Sequence, residues 1–114
     1  RVGEARRPQA LIVPHAGYIY SGSIAARAYD ELAAGRGIIK RVVLIGLLAN
    51  TCLESTGKFA AELGYHVTLV RDATAAFSPL AMTCAHEING PTFAHAIVST
   101  AELLAAFQVS PHRA

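Results

Sequence analysis

A chain of 114 residues, 53% hydrophobic and 16% charged, is long enough for one core and too apolar for the disordered class. Ten Lys and Arg stand against eight Asp and Glu, a formal net charge of +2. Apart from Arg1, Arg6 and Arg7 the basic residues are dispersed, which argues against nucleic-acid binding. The apolar runs Ala10 to Val13 and Val42 to Ile45 are much too short to span a bilayer, and no basic-then-apolar leader precedes them, so a soluble protein with no membrane partner is expected. Cys52 and Cys84 fit neither a disulfide framework nor a zinc knuckle, and a reducing, cytoplasmic setting is the expectation.

In chain order, the continuous apolar run Gln9 to Val13, ended by Pro14, predicts a first strand of the kind that parallel sheets bury on both faces. Ser23 to Ala34 places Ile24, Ala25, Ala28 and Leu32 on one helical face, with Ser21 or Ser23 as N-cap and Gly35 beyond the end. Arg41 to Gly46 predicts a second strand, and Thr51-Cys52-Leu53-Glu54 reads as a capping box opening a helix that closes at Gly64. Tyr65 to Val70 predicts a third strand. Ser78-Pro79 then starts a helix carrying Ala81, Cys84, Ala85 and Ile88 on its apolar face, stopped by Asn89-Gly90-Pro91. Ala96 to Val98 predicts a short fourth strand, and Ser99-Thr100-Ala101-Glu102 a capping box before Leu103, Leu104 and Phe107.

This alternation predicts a single α/β domain over residues 1–114, three-layered αβα and Rossmann-like, with a small, mainly parallel sheet of about four strands. Ligands are expected beyond the carboxyl ends of the strands. A sheet that small leaves an edge strand or an apolar face for a second copy, so a homodimer is expected.

Cys52, placed at the first helical position after a Thr51 N-cap, meets free backbone N–H groups and the positive end of the helix dipole, which favour a thiolate and an oxyanion. The same residue reads equally well as a small buried side chain. His15 ends strand one, Cys52 follows strand two and Asp72 ends strand three, so a catalytic Cys52/His15/Asp72 set on one sheet edge is conceivable. The alternative is that Asp72 caps backbone groups in the turn Asp72-Ala73-Thr74 and His15 bonds nearby backbone. The Gly17 to Gly22 loop, with Tyr18 and Tyr20, suits an anion at a helix start but matches no nucleotide fingerprint. His66, His86, His95 and His112 show no ligand spacing, so surface or satisfied histidines are expected. Cys84 reads as core.

The stretch Gly46-Leu47-Leu48-Ala49-Asn50-Thr51-Cys52-Leu53-Glu54-Ser55-Thr56 closely resembles the nucleophile motif of isochorismatase-like cysteine hydrolases. The resemblance continues through Val67 to Phe77 and Ala94 to Glu102, reaching about Phe107. It implies a Cys52 thiolate attacking an amide or related carbon, with a strained peptide around Leu47-Leu48 shaping the oxyanion hole. Ala49 stands where that family usually has threonine. The family's aspartate from its first strand and lysine from a middle segment have no counterpart in these 114 residues.

In their place Arg7-Pro8-Gln9-Ala10-Leu11-Ile12-Val13-Pro14-His15-Ala16-Gly17-Tyr18-Ile19-Tyr20-Ser21-Gly22 resembles the signature of the Memo family, and the likeness persists through Lys40 to Gly46. Memo-like proteins are related in fold to extradiol dioxygenases, and this match implies His15 as one of several metal ligands, the others lying in segments not found here. The chain therefore reads as a chimera, engineered or recombined, Memo-like over residues 7–46 and isochorismatase-like over 46–107.

Three functions follow in order of expectation. The first is a chimeric domain with no complete parental active site and no efficient catalysis. The second is a cysteine hydrolase acting on a small amide or ester through Cys52, and the third a metal- or anion-binding module built on His15 and the loop after strand one. No cofactor is expected, and the partner is a small-molecule ligand or a second copy.

Overall fold

The computed structural model describes residues 23–27, 30 and 37–109, and the chain divides at the boundary between Ile39 and Lys40. In the first unit residues 23–27 are helical, inside the helix expected from Ser23 to Ala34, with Ala25 buried and Ile24 exposed. The expected strand Gln9 to Val13 and His15 lie outside the described residues.

The second unit begins with β1 (Arg41–Leu47). A π-helical turn (Ala49–Leu53) runs directly into α1 (Glu54–Glu62). The helix stops where predicted. Leu63 N–H donates to the Phe59 carbonyl at 3.0 Å and Gly64 N–H to the Ala61 carbonyl at 2.9 Å, while Gly64 turns the chain out of the helix at φ +89°, a conformation that costs glycine nothing.

Next comes β2 (His66–Ala75), which begins one residue after the predicted Tyr65 to Val70 run and continues five residues past its end. It pairs parallel with β1, Val42 against Val67 and Leu44 against Leu69, and the register then jumps so that Gly46 meets Thr74. Two steps along β1 thus match five along β2, and the surplus forms a bulge that contains Asp72. The expected turn Asp72-Ala73-Thr74 is thus part of the strand, and Arg71 and Asp72 are exposed on it.

Ser78 accepts a hydrogen bond from Ala81 N–H at 3.1 Å with Pro79 behind it, opening α2 (Pro79–Thr83) as predicted. The helix then widens into a π-helical segment (Cys84–Asn89) and tightens into a 3₁₀ turn (Gly90–Thr92). This corrects the expected apolar face. The wider turn rotates every position after Cys84, so Ala85 and His86 are buried, Ile88 is 60% exposed and Cys84 is half-buried rather than core.

β3 (Ala96–Val98) covers the predicted residues and pairs parallel with β2. α3 (Thr100–Val109) follows behind the predicted capping box, with Glu102 Oε2 accepting from Ser99 N–H at 2.7 Å and Ser99 Oγ accepting from Glu102 N–H at 3.2 Å.

The described sheet has three parallel strands in the order β1-β2-β3, within a three-layer α/β arrangement. Leu44, Leu53, Ala60, Val67 and Leu69 form its core, with Phe93 and Ile97 packed against them. Thr68 and Val70 point to the opposite side of β2 and are buried as well, and α3 is the other helix packed on that strand. Along β1 the outward row Val43, Ile45 and Leu47 is exposed, as are Leu104 and Phe107 on α3. No helix among the described residues is long and apolar enough to cross a membrane.

Candidate functional site

The carboxyl end of β1 delivers the chain into the turn that carries Cys52. The Leu47–Leu48 peptide bond is cis. The turn starts earlier than the sequence suggests. Leu48 is the N-cap residue, no side chain caps the turn, and Leu48 carbonyl accepts from both Thr51 N–H and Leu53 N–H at 3.2 Å. Burial of Ala49 and Leu53, at 6% and 8% exposure, draws the backbone into helix two residues before Thr51. Cys52 is therefore the fourth residue of the helical run, not the first.

The expected capping box at Thr51 to Glu54 does not form. Thr51 Oγ1 lies 3.7 Å from Cys52 Sγ as a donor, and Glu54 turns its carboxylate sideways. One oxygen takes Lys58 Nζ at 2.7 Å and the other takes Asn89 Nδ2 at 3.2 Å, fastening the Cys52 helix to the π-helical segment beside it. Thr56 Oγ1 donates to the Cys52 carbonyl at 2.7 Å. Cys52 is a free thiol on a residue of intermediate exposure, as is Cys84.

Asp72 caps backbone at a distance rather than within its own turn. Its Oδ1 accepts from Thr100 N–H at 2.7 Å and Thr100 Oγ1 at 2.8 Å, across the sheet end to the start of α3. Those two bonds, the backbone one first, hold its carboxyl below the usual aspartate range. The Ser99 backbone N–H and hydroxyl do the same for Glu102. A carboxylate whose folded value is lowered adds stability above its unfolded value, near 3.9, and loses it as pH falls through the folded one. Asp72→Ala is therefore expected to lower the melting temperature at neutral pH, with the gap from wild type narrowing once the pH drops below about 4. A gap that stays constant into acid would show that the charge is not what holds α3.

Three histidines have partners or positions that spacing did not reveal. His86, 3% exposed, has Nδ1 3.0 Å from the Met82 carbonyl and Nε2 3.0 Å from Thr74 Oγ1, so it is a satisfied core histidine. His95 receives a backbone bond from Val67, and His66 stacks on His95. Among the described residues no group of three or more His, Cys, Asp and Glu side chains is arranged to hold a metal ion. His112 and the Tyr18 to Ser21 loop lie outside the described residues.

A family model described as the isochorismatase domain matches residues 20–102, most of the chain. The protein belongs to the isochorismatase family. The match opens well before Gly46, so the family pattern extends into the part that resembles Memo. The solved isochorismatase-like hydrolase from Alkaliphilus metalliredigens superposes with a TM-score of 0.60 at 24% identity, over 69% of this chain and 42% of that one, which shows the fold.

Among curated proteins, the MEMO1 family protein MTH_45 of Methanothermobacter thermautotrophicus is 41% identical over 68 residues, covering 55% of this chain and 24% of its own length. The MEMO1 family protein of Sulfurisphaera tokodaii is 45% identical over 59 residues, or 47% of this chain and 20% of that protein. The chain thus carries both likenesses, and it spans about a quarter or less of these curated relatives.

Proposed function

We propose that the chain is a mosaic of Memo-like and isochorismatase-like sequence in which Cys52 is the nucleophile of a cysteine hydrolase acting on a small amide or ester. The observation that carries this reading is the free, half-buried Cys52 in the helical turn at the carboxyl end of β1, within residues that match the isochorismatase family. In the reaction the sulfur bonds to the substrate's carbonyl carbon and the thiol proton leaves with the departing alcohol or amine. Water then cleaves the thioester and restores the thiol. The N–H groups of Ala49 and Asn50, at the open start of the turn, lack intrahelical acceptors and are the donors available to a developing oxyanion. Asp72 is assigned to capping α3 and takes no part in the chemistry, because both its bonds go to Thr100.

Incubation with p-nitrophenyl acetate followed by peptide mass mapping tests this. Acetyl transfer is expected at Cys52 well ahead of Cys84, abolished in Cys52→Ala and retained in Asp72→Ala. Equal labelling of the two cysteines would reject Cys52 as an activated nucleophile. Rapid acylation of Cys52 without turnover would instead support a domain that keeps the nucleophile but lacks efficient catalysis, in keeping with a carboxylate already engaged by Thr100.

A further inference from the structure

We propose that His95, stacked on His66, is an acid-sensitive latch joining the entrances of β2 and β3. His95 N–H donates to the Val67 carbonyl at 2.8 Å, and Val67 N–H donates back to His95 Nδ1 at 3.0 Å. Val67 is 0% exposed, so while the latch is closed its amide has no water to turn to. An imidazole nitrogen accepts only through a free lone pair, which places the proton of the neutral His95 ring on Nε2. A second proton, on Nδ1, sets donor against donor and breaks the bond to Val67.

His66 and His95 stack with centroids 4.8 Å apart and planes 26° from parallel, and His66 Nδ1 is buried with no hydrogen-bond partner among the described residues. The groups facing the pair are Lys58 and Glu62 from α1, which line an open cavity of about 400 Å³ together with His95, and Arg41 of β1, which stands in register with His66. His95 itself is exposed. β3 pairs through only Thr68–Ala96, Leu69–Ile97 and Val70–Val98, so the His95–Val67 exchange is a large share of what holds that strand in place. Opening it loosens the path from β3 to the cap of α3 at Ser99 and Thr100.

Amide hydrogen exchange read by NMR on the 114-residue chain, corrected for the intrinsic pH dependence of exchange, tests the latch. As the solution is made acidic, the protection of the Val67 amide is expected to fall by about tenfold or more. His95→Asn keeps an acceptor near the Nδ1 position without a titrating ring, and there the protection is expected to be independent of pH. His66→Phe, which keeps a stacked ring, is expected to retain the response. Constant protection in wild type, or an equal fall in His95→Asn, overturns the proposal. So does a ring ¹⁵N spectrum showing the His95 proton on Nδ1 at pH 8, a reading that needs no variant to fold.

Discussion

Leu69→Ala is expected to cost about 2–5 kcal/mol, the range for emptying a well-packed leucine site. Leu69 is 3% exposed on the central strand, paired with Leu44 on one side and Ile97 on the other. Its Cδ1 also sits 3.3 Å from where a Cβ on Gly90 would be, so the cavity would open at the meeting point of all three strands and the 3₁₀ turn. A domain of this size has total stability of order 5–15 kcal/mol, so the loss removes a large part of the margin that keeps it folded. Urea unfolding should show a lower midpoint with an unchanged slope. A cost below about 1 kcal/mol would mean that β2 is not the centre of the core.

The second large effect is at Gly57, in the middle of α1. Helix propensity alone makes Gly57→Ala favourable by about 1 kcal/mol. Packing opposes it. A Cβ there would collide with the ring of Phe93 and stand 3.0 Å from Leu44 Cδ1, while Gly57 itself is buried. Forcing a methyl into a filled core costs about 1–3 kcal/mol and sometimes more, and here the displaced group is a whole aromatic ring that also closes the core cluster. The net expectation is destabilisation by up to about 2 kcal/mol, measured by thermal or urea unfolding, with Phe93→Leu in the same chain restoring part of the loss. A more stable Gly57→Ala variant would show that Phe93 moves aside freely.

These two sites also show what the amino-acid order discloses and what it withholds. The runs Arg41 to Gly46 and Ala96 to Val98 are β-branched and continuous, and strands form there because local preference and burial agree. Ser78-Pro79, Ser99 to Glu102 and Gly64 were legible for the same reason, since each satisfies backbone groups within four residues of itself. The bulge in β2 was not legible, because Arg71 and Asp72 stay in the strand only through pairing of Thr74 with distant Gly46 and the bond from Asp72 to Thr100.

The site divides along the same line. Cys52 was found from its neighbours in sequence, yet the turn around it begins at Ala49 because Ala49 and Leu53 are pulled into a core built from β1 and β2. The Glu54–Asn89 tie and the His95–Val67 exchange join residues 35 and 28 positions apart, and no local pattern announces either. His86 had one local hint, its four-residue spacing from the Met82 carbonyl it bonds, but its burial comes from the π-helical widening at Cys84.

The outward row of Val43, Ile45 and Leu47 also governs how the purified chain behaves as a colloid. With a net charge of only +2, copies meet with little mutual repulsion, and whatever these side chains and the Leu104–Phe107 ridge touch is held by apolar attraction. Kosmotropic salts strengthen that attraction while screening the small charge, so sulfate and phosphate buffers will lower the concentration at which the chain stays dispersed. Lysine replacements on the exposed row add to the positive charge and raise that ceiling without entering the core.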